Sequence, residues 1–165
     1  MDSAEHSRSN ATVGKAAKSR RWAPGRAARN SVVLYAAVGL GSMAGGVTRA
    51  LVSIASLELL GPAFPWGTLA ANLAGSFLIG LYAALTEPGG RIFAGSAQRQ
   101  FVMAGFCGGF TTFSLFSLET FQLILEDRWP TAVFYVAASL LAWFAAVWLG
   151  HVWGWRINRL RGKDI

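Results

Sequence analysis

Cysteine occurs once in this chain, at Cys107, so an internal disulfide framework is excluded. Histidine occurs twice, at His6 and His151, and no cluster of His, Cys, Asp or Glu shows ligand spacing. That argues against structural or catalytic zinc. No phosphate-cradling glycine loop or ATPase motif is present, and nothing in the chain reads as an enzyme. Charge is also sparse, at 14% of residues, and it is confined largely to the ends and the connections.

What fills the remainder is apolar. Hydrophobic residues make up 53% of the chain and the mean hydropathy is positive, the distribution of a membrane protein. A spanning helix needs ~20 mostly apolar residues. Four segments qualify, at about 32–57, 66–86, 98–124 and 131–153. The expected fold is an all-α membrane protein of four transmembrane helices. Residues 1–30 hold seven Lys or Arg and little apolar periodicity, and are expected to be a disordered basic arm. The four-helix transmembrane domain then covers 31–155, and 156–165 is a basic tail. A signal peptide fits poorly, because the apolar run after the arm exceeds a typical h-region of ~7–15 residues.

With four spans, thirteen Lys and Arg fall on one side and Arg128 on the other, with Arg49 at a helix end. The positive-inside rule therefore predicts cytoplasmic termini in a plasma (inner) membrane. Trp66, Trp129, Trp153 and Trp155 lie near predicted helix ends and read as interfacial anchors.

The third span carries the most unusual chemistry. Gly105-Phe106-Cys107-Gly108-Gly109-Phe110-Thr111-Thr112-Phe113-Ser114-Leu115-Phe116-Ser117-Leu118-Glu119 places paired glycines, hydroxyls, phenylalanines and a carboxylate at membrane depth. Glycine permits non-helical backbone, which membranes tolerate only against protein or a hydrated path. The sequence therefore predicts a break around 108–112 and a permeation site there. Phe113 and Phe116 share a helix face, and their positive ring edges suit an anion, although a Phe pair alone is most often packing. Glu119 follows one turn later, with Arg49, a hydroxyl or an ion relay as its expected partner. In the second span Thr68, Asn72 and Ser76 form a polar stripe. Asn72 suits either interhelical bonding or donation to a dehydrated anion. In the fourth span Tyr135 and Ser139 share a face that Trp143 continues. In the first span Gly41/Gly45 and Ser42/Gly46 make a small-residue face, and Arg49 extends it as an electrostatic attractor, a tether or a snorkelling anchor.

These residues resemble the Fluc (CrcB) family of fluoride channels over about residues 33–153. The carriers are the glycine-rich first span ending in Arg49, the segment Gly67-Thr68-Leu69-Ala70-Ala71-Asn72-Leu73-Ala74-Gly75-Ser76-Phe77, and the 105–119 segment above. The resemblance implies an antiparallel dual-topology dimer with two pores that passively conduct fluoride, relieving its toxicity by export. It also implies a structural sodium ion at the dimer axis, held by the backbone carbonyls of Gly108 and Thr111. The implied pore residues are Asn72, Thr68, Phe113, Phe116, Tyr135 and Ser139, with Glu119 beside them. Trp143 stands where a small hydroxyl residue is expected. The charge asymmetry predicts a heterodimer with an oppositely oriented paralogue as the alternative to a homodimer. Fluoride, sodium and membrane lipid are the expected partners, and nucleic acid is not. The rival reading is a small four-helix proton-coupled exporter that uses Glu119.

Overall fold

The computed structural model describes residues 24–160. The bundle is formed from Val33 onward, and residues 24–32 belong to a separate N-terminal unit. Helix α1 runs Pro24–Leu60 and α2 runs Trp66–Leu85. The third span contains α3 (96–110) and α4 (Phe113–Leu125), and α5 runs Trp129–Arg159. Four helical segments are long and apolar enough to cross a membrane, so the chain is a multi-pass membrane protein. Helix α1 thus begins inside the stretch read as a basic arm. The rest of that arm and the tail beyond Leu160 lie outside the described residues.

Small residues let these helices approach backbone to backbone. A Cβ at Gly41 would meet the Phe101 carbonyl and lie 2.9 Å from the Gly105 Cα. One at Gly45 would meet the Phe106 carbonyl. The expected small face on α1 is therefore a seat for the third span. Its Ser42 and Gly46 members part company, since Ser42 abuts Gly109 while Gly46 faces open space. Helices α2 and α5 pair closely through Gly80, Gly150 and Gly154. A core of Phe116, Leu123, Ala132 and Tyr135 joins α4 to α5.

Helix α3 is unusual in its interior. After Ser96–Arg99, residues Gln100–Cys107 wind as a π-helix, and Gly108–Phe110 return to α-geometry. Thr111 (φ −79°, ψ 156°) and Thr112 (φ −151°, ψ 126°) are extended, and α4 starts at Phe113. The break therefore falls within the predicted 108–112 stretch, at its two threonines, while the two glycines stay helical. Gly108 is helical (φ −65°, ψ −35°). Gly109 serves close approach instead: a Cβ there would meet the Ser42 carbonyl and lie 2.8 Å from its Cα.

Candidate functional site

The break exists because partners replace the helical hydrogen bonds it loses. The Thr112 amide donates to Asn72 Oδ1 at 2.7 Å, and Asn72 Nδ2 donates back to the Thr112 carbonyl at 2.9 Å. Asn72 is only 4% exposed. Its carboxamide thus pairs with a whole residue's backbone polarity, the interhelical role weighed above, and one Nδ2 hydrogen is left over. Thr112 also caps α4 by accepting from the Leu115 amide at 3.2 Å. On the other side, Arg49 Nε donates to the Gly109 carbonyl at 3.3 Å. Of the roles open to Arg49, the carbonyl tether is the one observed.

These diversions leave specific carbonyls bare. In a continuous helix the Gly108 carbonyl would receive the Thr112 amide, and the Thr111 carbonyl would receive the Leu115 amide. Both donors go elsewhere, to Asn72 and to the Thr112 hydroxyl. The Cys107 carbonyl, by contrast, accepts from both the amide and the hydroxyl of Thr111.

Two turns beyond the break, three sequence-predicted residues meet. Thr68 Oγ1 donates to Glu119 Oε1 at 2.7 Å, and Tyr135 OH donates to Oε2 at 2.8 Å. Glu119 is therefore held by hydroxyls from α2 and α5, and Arg49 is not its partner. Thr68 and Tyr135 are buried. A cavity of about 300 Å³ opens at the 61–65 and 126–128 connections, rimmed by Arg128, and reaches Thr68 and Glu119. Arg128 is fixed there by the Ala63 carbonyl at 2.6 Å.

A second cavity, of about 430 Å³, lies at the break and is lined by Asn72, Ser76, Gly108, Thr111, Phe113 and Trp143 among others. Among the described residues, no cationic side chain lines it. The two phenylalanines sit 5.5 Å apart but in unlike settings: Phe113 is 68% exposed, whereas Phe116 is 5% exposed. Phe116 packs on Tyr135 at 5.1 Å and edge-to-face on Trp143 at 4.8 Å. Ser139 is fully buried between these turns of α5. The indole of Trp143 thus continues the Tyr135/Ser139 face, as its spacing predicted. The π-helical stretch and the pairing of the Thr112 backbone with Asn72 were not foreseen. The threonine's place directly before an apolar helix was the available cap signal. The four predicted anchor tryptophans are all exposed. Trp155 also carries the Arg159 guanidinium 3.7 Å from its ring centre.

The sequence that builds this site has known relatives. Residues 36–151 match the family model described as CrcB-like protein, Camphor Resistance (CrcB). A Fluoride-specific ion channel FluC 1 from Rhodopseudomonas palustris is 54% identical over 134 residues, which are 81% of this chain and 95% of that protein. Another protein of that name, from Bradyrhizobium diazoefficiens, is 53% identical over 131 residues, 79% of this chain and 91% of the relative. A Fluoride-specific ion channel FluC from Opitutus terrae is 46% identical over 130 residues, 79% of this chain and 98% of the relative. The match reaches all four predicted transmembrane segments and covers both motifs, and the chain belongs to the CrcB family.

Proposed function

We propose that this protein is a passive, fluoride-selective channel that lets fluoride leave the cytoplasm and so lowers its toxicity. The observation that carries this reading is the cavity at the broken third span. Its wall combines the Asn72 amide, hydroxyls and the Phe113 ring, and no cationic side chain contributes to it. An anion there meets dipoles and ring edges, which replace water without trapping the ion as a fixed cation would. The names of the relatives supply the ion. Fluoride is the smallest halide and holds water tightly, so close donors in a narrow path favour it over chloride. Undissociated acid enters through lipid and ionises in a more neutral cytoplasm. Passive conductance then lets the membrane potential drive the anion out.

Two further elements belong to this reading. Phe113 and Gly108 are exposed although both line the cavity, so the wall is open on that side. A second, antiparallel chain completes it, either another copy or an oppositely biased paralogue. The Gly108 and Thr111 carbonyls suit a structural sodium ion, because their helical donors are diverted. Bound there, sodium would supply positive charge to oxygens that otherwise lack it. The plasma membrane is the location this function requires, with both termini cytoplasmic by the charge count.

The test is efflux from liposomes loaded with potassium fluoride, with valinomycin to clamp the potential. Fast fluoride efflux without chloride leak is the expected result. If neither this chain alone nor its co-expressed paralogue releases fluoride, the reading is wrong. The exporter alternative separates cleanly: Glu119→Gln abolishes a proton-coupled carrier, whereas a passive channel keeps conducting.

A further inference from the structure

Hydroxyl groups in these helices have a habitual partner. Thr48, Thr86, Thr111, Ser117 and Thr120 each donate to the carbonyl four residues earlier, at 2.7–2.9 Å. Ser139 does not, although it is fully buried. Its Oγ and the Trp143 Nε1 are both enclosed and have no hydrogen-bond partner among the described residues. A buried indole N–H ordinarily finds an acceptor, and leaving one unmade is costly in a membrane. The two residues lie one turn apart on a single face of α5. Trp143 borders the cavity at the break and meets Phe116 edge-to-face, while Ser139 lies one turn behind it, outside the cavity lining.

The chemistry the two atoms share is donation. An indole N–H donates only, and a hydroxyl with no acceptor is free to do the same. Two idle donors beside an aromatic ring, walled off from bulk water, fit an acceptor that brings no donors of its own. That acceptor is a dehydrated anion. A water molecule is the competing occupant, since it accepts from the indole and donates to the Ser139 oxygen, and titration with fluoride distinguishes the two.

We propose that Trp143 is a direct anion-binding and specificity-determining residue, its Nε1–H and the Ser139 hydroxyl together replacing hydration water of the permeating fluoride beside Phe116. The proposal rests on the fluoride-channel reading above and assigns the donor at a position where that reading left none. An indole is rigid and large, so it holds its single N–H in a fixed place and narrows the path. A small hydroxyl would do neither.

The test keeps the ring and removes the donor. The full chain is made with 3-benzothienylalanine at position 143, whose sulfur stands in for Nε1–H, and fluoride flux is measured in the potassium fluoride liposome assay. Loss of a hydrogen bond to a charged ligand predicts a fall of about tenfold or more. Tyr82→Phe is the control, because the Tyr82 hydroxyl is equally unpartnered but borders a different, apolar cavity. It is expected to leave flux unchanged. Benzothienylalanine flux equal to that of the unmodified chain overturns the proposal, as does an equal loss in Tyr82→Phe. An independent measurement follows the indole ¹⁵N–¹H resonance of Trp143 during titration with sodium fluoride at constant ionic strength. A saturable shift with fluoride, absent with chloride, is expected, and no shift overturns the proposal even where the substituted chain misassembles. An unmodified chain that conducts no fluoride, alone or with its paralogue, instead refutes the channel reading, and the resonance still decides whether Trp143 meets the anion.

Discussion

The α2–α4 wall of the site and the α5 wall treat their polar groups in opposite ways. Asn72 and Thr68 on α2 spend their hydrogen bonds on Thr112 and Glu119. On α5, Tyr135 does likewise, but Ser139 and Trp143, one and two turns further on, spend none. Partnered groups fix where the backbone goes; unpartnered ones are available to something that arrives. On the proposed channel reading, the first wall builds the path and the far end of the second sets selectivity.

That division is broken most severely at Asn72. Asn72→Ala orphans both backbone groups of Thr112, and is expected to cost about 2–4 kcal/mol of folding stability, read by reversible unfolding in detergent micelles. A cost near zero would show that the break does not depend on the α2 clamp. Gly109→Ala comes next, because the added Cβ presses on the Ser42 backbone. Overpacking of this kind costs about 1–3 kcal/mol, and the companion Gly108→Ala should be tolerated within a single chain, since only the Met103 carbonyl lies near, at 4.0 Å. A penalty at Gly108 in the assembled protein but not in the isolated chain would mark a second chain against that face. Tyr135→Phe removes one of two donors to Glu119 and should cost about 1 kcal/mol, with fluoride flux reduced less than by the change at Trp143. Equal reductions would erase the distinction between the partnered and unpartnered turns of α5. Smallest is Arg128→Ala: its ion pair with Glu126 is 3.4 Å long and the side chains are 38% and 61% exposed. A loss of ~1 kcal/mol or less is expected, with any flux change diminishing at high salt because the rim charge is screened.

The parts legible in the sequence are those that periodicity or chemical rarity marks against an apolar background. The Thr68/Asn72 stripe, the Tyr135/Ser139/Trp143 face and Glu119 all stand out for this reason, and the structure gathers them. Which residues of the predicted 108–112 break leave the helix was not legible. Glycine serves both backbone freedom and close approach, and only the position of Ser42, 67 residues before Gly109, decides between them. The partner of Glu119 was similarly open, because Arg49, Thr68 and Tyr135 each offered a donor and sequence does not fix distance. The π-helical turn has no side-chain signature, since its i to i+5 bonding is a backbone property.

Arg49 and Asn72, which hold the break from either side, both precede it in the chain. Synthesis delivers the spans from the N-terminus. By the time Thr111 and Thr112 reach the bilayer, the guanidinium and the carboxamide that satisfy their neighbourhood are already in place. The non-helical peptides are thus received by a prepared socket and need not wait in lipid with bare amides and carbonyls. Ser139 and Trp143 are laid down last, after the residues that hold the break, so on the proposed reading variation in that final helix retunes what passes without disturbing how the break is made.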